Sequence, residues 1–293
     1  MTVDQSVEFE HCRELAMPPG SLFEFTSQFL PAGQREKLLA LYALKQAITS
    51  IPHTTVDDSV KWAKLKWWHD ELEAESSELS RHPVLRALHL SGARQQLDTG
   101  LLQRLVRDSL MQIDAYPVAD TEALYERLAT SGETDILLEL ALNGTAIPRQ
   151  SLHTLGLATG LFAMISGFLV NPQGNTHLIP LDLLAQHKIS ITQLEQHPPV
   201  PELVRIITHL AEPAFESYAE GVSGFLGGAG EVASPHLQLR WAMESRHSKK
   251  ISEDPHSRFD EPGPYGPSDA WFAWKFMRRI SRTLSLIHIS EPT

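Results

Sequence analysis

Apolar residues recur at helical spacing along most of the chain. The segment LLQRLVRDSLMQI carries one stripe, and a second begins at Leu124 and Leu128 and continues through Ile136 and Leu140. The first stripe comprises Leu102, Leu105, Val106, Ser109 and Ile113. No clear alternation of apolar and polar residues between turn pairs indicates a strand. Prolines separate segments of helix length, so the pattern predicts one all-helical domain.

Helix ends can be predicted at several of these breaks. Asp120 or Thr121 precedes EALYERLA and is suited to be an N-cap. Pro52 interrupts one helix, and the next begins near Asp57 and Asp58, whose charges favour a helix N-terminus over a metal site. The apolar segment 155–170 is too short for a membrane span, so we expect a buried core helix and no transmembrane segment.

The C-terminal third contains two segments of unusual composition. Residues 248–269 are polar and dense in Pro and Gly, which predicts a mobile loop before a last aromatic helix, AWFAWKFMRRI. Residues 284–293, LSLIHISEPT, match the conceptual translation of a common sequencing adapter, so we expect the domain to occupy residues 1–283. Re-sequencing of the locus without adapter-bearing reads tests this expectation.

Charge and cysteine content exclude several classes of protein. The formal net charge is -11 and no long Lys/Arg cluster occurs, which argues against nucleic-acid binding. Cys12 is the only cysteine, so a disulfide framework and a cysteine-based zinc site are excluded. The N-terminus is acidic where a signal peptide would be basic. These features predict a cytoplasmic protein.

Motifs of other catalytic classes are absent from the sequence. The 14 histidines form no HExxH pattern, which gives no support to metalloprotease chemistry. A Gly-x-Ser-x-Gly elbow and the glycine patterns of nucleotide-binding loops are also missing. The residues alone therefore predict no metal ion and no cofactor.

Several short motifs nevertheless occur in a recognisable order. They are ALYAL, LKWWHDEL, RHPVLRAL, MQID before ALYERLATSG, and LGLA before HLIPLDLL. In this order and at these separations the chain resembles the squalene and phytoene synthases over residues 30–189. The resemblance implies the all-α isoprenoid synthase fold, a single helical domain around a central cavity. It also implies head-to-head joining of two prenyl diphosphates, in which carboxylates of two facing helices hold magnesium.

The resemblance places other residues where the family has its acids. The three aspartates of its first motif fall on Thr49, Ser50 and His53. In the second motif, Gly160 stands for the glutamine, Ala163 for the asparagine, Ser166 for the arginine and Gly167 for the aspartate. We therefore expect no catalytic residue and no metal ligand, and no two carboxylates of facing helices converging on the cavity.

Other family positions keep polar residues. Tyr42, Gln46, Asp114 and Tyr125 are candidate cavity residues, although packing with a hydrogen-bonded hydroxyl is the favoured interpretation of both tyrosines. Asp114 also suits a helix end or turn. Lys45 lies on the face of the expected metal ligands, where it either pairs with an anion or, as favoured, snorkels to the rim. If Lys45 faces inward, Lys45→Ala should weaken prenyl diphosphate binding.

These observations support a leading hypothesis and two alternatives. The leading one is a scaffold without condensation activity that binds a prenyl or lipid ligand or a protein partner, as assembly-factor-like family members do. One alternative is a working prenyltransferase, which would require Mg²⁺. The other is contact with a membrane surface through Trp271, Phe272, Trp274 and Phe276, for which packing into a core is favoured.

Overall fold

The computed structural model describes residues 3–74, 80–113, 118–143, 149–170, 176, 178–194, 201–227, 235–253 and 265–288. Thirteen α-helices and one short 3-10 turn, Ile51–His53, make up this described part, in which no strand occurs. The helices are α1 Val3–Ala16, α2 Leu22–Ser27, α3 Ala32–Thr49, α4 Asp58–Glu73, α5 Pro83–Leu90, α6 Thr99–Ile113, α7 Thr121–Asn143, α8 Arg149–Val170, α9 Leu181–His187, α10 Ile191–Leu194, α11 Pro201–Gly227, α12 Pro235–Glu253 and α13 Pro267–His288. The prediction of an all-α fold is confirmed.

Local sequence signals set many of the helix ends. Asp120 caps α7, since its carboxylate accepts a hydrogen bond from the Ala123 N–H at 2.9 Å. His82 precedes Pro83 at the start of α5, and its Nδ1 accepts from the Val84 N–H at 3.3 Å. The 3-10 turn that contains Pro52 separates α3 from α4, as predicted.

The described helices pack around two main apolar clusters. The first joins α1 and α3 to α6, with Leu41, Leu44 and Leu88 fully buried. The second joins α8, α9 and α11, with Phe168 and Leu210 fully buried. Helix α7 contributes buried leucines to both clusters, at opposite ends, so it connects the two halves of the fold.

Glycines bring α7 and α8 unusually close together. A Cβ atom on Gly132 would lie 2.0 Å from the Gly156 carbonyl oxygen, and one on Gly160 would lie 2.3 Å from the Leu128 carbonyl oxygen. These distances are far below any tolerable contact, so the two backbones touch where the side chains are absent. The crossing fixes the position of α8 beside the space between α3 and α7.

Helix α8 packs in the core of the fold, but the expectation that its apolar segment is too short to span a membrane is wrong. Ser151–Phe168 is long and apolar enough to span a membrane by length and composition, but more than half of this window is buried inside the protein. Leu161, Phe162 and Ile165 are among the buried side chains. A core helix of a globular protein passes the same test.

The loop predicted over residues 248–269 is shorter in the structure, because helices occupy both of its ends. Residues 248–253 continue α12, and 267–269 begin α13. Regular hydrogen bonding extends into the polar ends because Lys250 pairs with Asp269 at 3.1 Å, joining the two helices. Residues 254–264 lie outside the described residues, as do 289–293 of the predicted adapter tail.

Candidate functional site

A cavity of about 590 Å³ lies between α3, α6, α7 and α8. Leu105, Leu128, Met164 and Leu178 contribute apolar side chains to its lining. The polar lining residues are Lys45, Gln46, Thr49, Ser50, His53, Gln112, Arg127, Ser131, Asp135 and Thr159. This combination of a large apolar surface and a few convergent polar groups is typical of a ligand site.

One face of α3 and the turn that follows it contribute polar residues to the cavity. Lys45, Thr49 and His53 are four residues apart, which places them along one helical face. The Thr49 hydroxyl donates to the Lys45 carbonyl at 2.8 Å, so this hydroxyl is already hydrogen-bonded to backbone. Burial, and then the nearby charge of Lys61, lower the pKa of His53, which favours neutral imidazole.

Helix α8 presents small residues to the cavity. Gly160, Ala163 and Gly167 line it, together with Met164, at the spacing of one helical face. At Gly160 the backbone of α7 occupies the place of a side chain, so a longer residue cannot be accommodated without moving the helices. Ser166 is exposed and does not line the cavity, because its position points away from this face.

Beneath the cavity, α3, α7 and α12 share a buried network of charged groups. The Tyr42 hydroxyl donates to Glu139 at 2.7 Å, and Lys45 donates to Asp135 at 2.7 Å. Arg240 donates to Glu139 and lies 3.5 Å from Asp135. Glu139 is 0% and Arg240 3% exposed, so neither charge is solvated by water. Two cations thus balance two carboxylates inside the protein.

A further acid extends this network along α12. Glu244 accepts a hydrogen bond from Arg240 Nε at 3.2 Å, but its Oε2 is enclosed without a partner. Burial raises the pKa of Glu244 to about 7, although the charge of Arg240 opposes this shift. His236, two turns before Glu244, is also enclosed, and burial lowers its pKa. Glu244 is therefore the member of the network that titrates near neutral pH.

Lys45 lies where it was predicted to lie, but it does not snorkel. Its side chain is 14% exposed, its ammonium pairs with Asp135, and it lies 4.6 Å from the centre of the Tyr42 ring. The favoured prediction for Lys45 is wrong because a carboxylate on α7, one turn from Glu139, makes the buried position favourable. The charge of Lys45 is satisfied inside the protein.

Arg127 is the second cation of the cavity. Its Nη2 is enclosed and has no hydrogen-bond partner within the described part of the chain. Burial is the main cause that lowers the pKa of Arg127, and the charge of Asp108 on α6 opposes this shift. No ion pair joins the side chains of Asp108 and Arg127. A guanidinium stays ionised despite such a shift, so Arg127 is a cationic residue of the cavity lining.

The lining groups do not fit a magnesium ion. Magnesium requires several oxygen ligands in octahedral geometry, usually with carboxylates among them. Asp135 is the only carboxylate among the described lining residues, and it already pairs with Lys45. In the described residues, no three His, Cys, Asp or Glu side chains are grouped as a metal site would require.

Comparison with known proteins identifies the family of the chain. The model of the squalene/phytoene synthase family matches residues 19–258. The chain belongs to the squalene/phytoene synthase family. No match was found among curated proteins.

Two solved structures of similar fold show the likeness at the level of architecture. A dehydrosqualene synthase in complex with ligand has 15% identity and a TM-score of 0.75, and the alignment covers 95% of this chain and 98% of that chain. Squalene synthase HpnC from Alicyclobacillus acidocaldarius has 16% identity and a TM-score of 0.66, over 88% and 97% of the two chains. The all-α isoprenoid synthase fold is thus confirmed.

Within this family fold, the remaining candidate residues are distributed unevenly. The Tyr42 ring stacks on Phe23 at 4.3 Å, and its hydroxyl is hydrogen-bonded to Glu139, so it supports the cavity from beneath. Tyr125 does not reach the central cavity but lines a separate pocket with His153. Its position on α7 places it two turns before the crossing glycines. Asp114 lies outside the described residues.

The sequence interpretation missed Asp135, Glu139, Arg240 and Arg127. One signal could have found the first three: acids four apart interrupt the apolar run TDILLELAL, and a lone arginine interrupts HLQLRWAM. A charge inside an apolar helical pattern predicts a buried partner, because charged residues are almost never fully buried alone. Which partner each would find depends on helix packing.

Proposed function

We infer that this member of the squalene/phytoene synthase family binds a prenyl or lipid-like ligand in its central cavity and does not catalyse magnesium-dependent condensation. The observation that carries the proposal is the state of the cavity's only described carboxylate. Asp135 is paired with Lys45 at 2.7 Å and lies 3.5 Å from Arg240, so it is already neutralised. A metal ion would have to displace protein cations from a partly buried site, which is costly.

The size and lining of the cavity support a ligand of mixed character. At about 590 Å³ it falls within the range of small-molecule pockets, roughly 300–1,000 Å³. Leu105, Leu128 and Met164 offer apolar contact to a hydrocarbon. Arg127, Gln112 and Gln46 offer hydrogen bonds to a polar head group. A retained cavity of this kind favours a small ligand over a protein partner as the occupant.

Arg127, rather than Lys45, is the residue that we assign to an anionic head group. Both cations line the cavity, but Lys45 has a carboxylate partner, whereas Arg127 forms no ion pair within the described part of the chain. Binding of an anion to Arg127 would therefore not require an existing ion pair to be broken. Lys45→Ala should consequently weaken binding less than Arg127→Ala.

Two measurements on the full chain test the proposal. Incubation with farnesyl diphosphate and Mg²⁺ should release no pyrophosphate, whereas release at the rate of a working synthase would establish the prenyltransferase alternative. Calorimetry with farnesyl diphosphate in the absence of metal should show binding, weakened about tenfold or more by Arg127→Ala. The matched control is Arg107→Ala, on the exposed side of α6. Absence of both activity and binding would favour the protein-partner hypothesis.

A further inference from the structure

Helix α13 presents an exposed face on which tryptophans and cations alternate. Trp271 is 62% and Trp274 47% exposed, among the most exposed large apolar side chains in the described part. At about 100° per residue, these two tryptophans fall with Lys275 and Arg278 inside an arc of about 100°. The predicted core role of the aromatic residues is therefore wrong for the tryptophans.

The opposite face of α13 explains why the tryptophans are left outside. Ala273 is fully buried, and Phe272, Phe276 and Met277 pack with it against Leu239 and Met243 of α12. A surface helix of a globular protein buries one apolar face against the core, and in α13 this is the face that packs on α12. The two tryptophans are thus a second apolar surface, which the packing of the domain does not use.

The cations on the exposed face are held beside the tryptophan rings. The Lys275 ammonium lies 5.1 Å from the Trp271 ring centre, and the Arg278 guanidinium lies 4.6 Å from that of Trp274. Such cation–π pairs hold each charged group at the same height above the helix as the aromatic ring beside it. Aromatic rings and Lys/Arg side chains at the same depth suit the head-group region of a bilayer, where the rings enter and the charges meet phosphates.

The exposed face of α13 is positively charged, whereas the protein as a whole is acidic. The protein carries a formal charge of -11, yet no acid follows Asp269 in α13. Asp269 itself is engaged by Arg246 and Lys250 of α12. A second copy of the chain would bring cations against cations if these faces paired, whereas an anionic surface is complementary to them. Screening beyond about 10 Å limits the repulsion from distant acids.

We propose that the Trp271–Arg278 face of α13 docks the protein on membranes that contain anionic lipid. The tryptophans insert at the interface, and Lys275 and Arg278 contact lipid phosphates. The inference does not depend on what the central cavity binds, because α13 contributes no residue to that cavity among the described lining residues.

Vesicle flotation of the full chain tests the proposal. Vesicles of phosphatidylcholine with phosphatidylglycerol should carry the protein, vesicles of phosphatidylcholine alone should carry much less, and high salt should release it. Arg278→Glu should weaken binding at least about fivefold, the effect of one cation near such a surface. Trp274→Ala should weaken it by about tenfold, as expected for loss of a large apolar contact.

Two matched controls come from α4. Trp62 is 40% exposed, so Trp62→Ala removes a comparable ring from another surface. Lys66, at 74% exposure and paired with Asp70, allows the same charge reversal as Lys66→Glu. Both control variants should float like the wild type. Equal loss in control and α13 variants, or no binding to anionic vesicles, would overturn the proposal.

Light scattering separates docking on lipid from self-association. The wild type should have the same mass at low and high concentration, and Trp271→Ala with Trp274→Ala should leave that mass unchanged. A concentration-dependent dimer that these substitutions abolish would instead show that the face is buried against a second copy. That outcome would also overturn the membrane proposal.

Discussion

The crossing of α7 and α8 provides a sharp test of how the cavity is built. Gly160→Ala places a methyl group where the Leu128 carbonyl oxygen is 2.3 Å away. An ordinary contact requires about 3.4 Å, so the helices must separate locally by about 1 Å. Overpacking costs typically 1–3 kcal/mol when side chains can yield, and rigid backbone yields less. We expect Gly160→Ala to lower the free energy of unfolding by about 3 kcal/mol or more.

Urea denaturation monitored by circular dichroism, with a thermal scan beside it, measures this effect. The matched control is Gly33→Ala in the first turn of α3, where a Cβ atom would meet nothing within 4 Å. That substitution should raise the free energy of unfolding by up to about 1 kcal/mol, because alanine favours a helix. A Gly160→Ala protein as stable as the wild type would refute the reasoning.

Three further predictions concern the buried charges and the thiol. Arg240→Ala should cost about 3 kcal/mol of unfolding free energy, because it removes the buried cation in contact with Glu139 and leaves only the Tyr42 hydroxyl and the more distant Lys45 as partners. Arg246→Ala, at a side chain 37% exposed, should cost less than about 1 kcal/mol. Equal losses would contradict a buried network. Because the folded-state pKa of Glu244 is raised to about 7 from 4.5, its contribution is complete below pH 4.5 and is lost as pH rises to about 7. Stability should then fall by about 3 kcal/mol across this window, by the conversion of 1.36 kcal/mol per pKa unit. Glu244→Gln should flatten the profile measured by denaturation at several pH values, and an unchanged slope would show that another group titrates. Burial raises the pKa of Cys12 to about 12. Alkylation of Cys12 in the native protein at pH 8 should therefore be about 1,000-fold slower than in the urea-unfolded protein, because the reactive thiolate is rarer. Comparable rates would show that the thiol is accessible.

Several structural features were predictable because they depend on local sequence. The stripe Leu102, Leu105 and Val106 is buried as its spacing predicted, and the Asp120 cap forms where α7 begins. The cavity face of α3 was likewise predictable, since residues four apart share a side of a helix. What could not be predicted was the partner of Lys45. That partner, Asp135, is 90 residues away in the chain.

Helix α13 also has a feature that the sequence alone could not predict, namely which of its faces is buried. The sequence AWFAWKFMRRI identifies an amphipathic helix but contains large apolar residues on more than one face. Only contact with α12 decides that Ala273 and Phe276 lie inward and that Trp271 and Trp274 lie outward. A helical period assigns residues to faces, but it does not state which face a neighbour covers.

The sequence by itself determined the all-α fold, the family and the residues that stand on the cavity face of α3, because these follow from helical periodicity and ordered motifs. The tertiary structure alone decided how the charges are satisfied. Lys45 and Arg240 meet Asp135 and Glu139 only because α3, α7 and α12 converge, and α7 approaches α8 closely only because Gly132 and Gly160 carry no side chain. Periodicity is a property of one helix, whereas ion pairs and backbone contacts depend on the distance between helices.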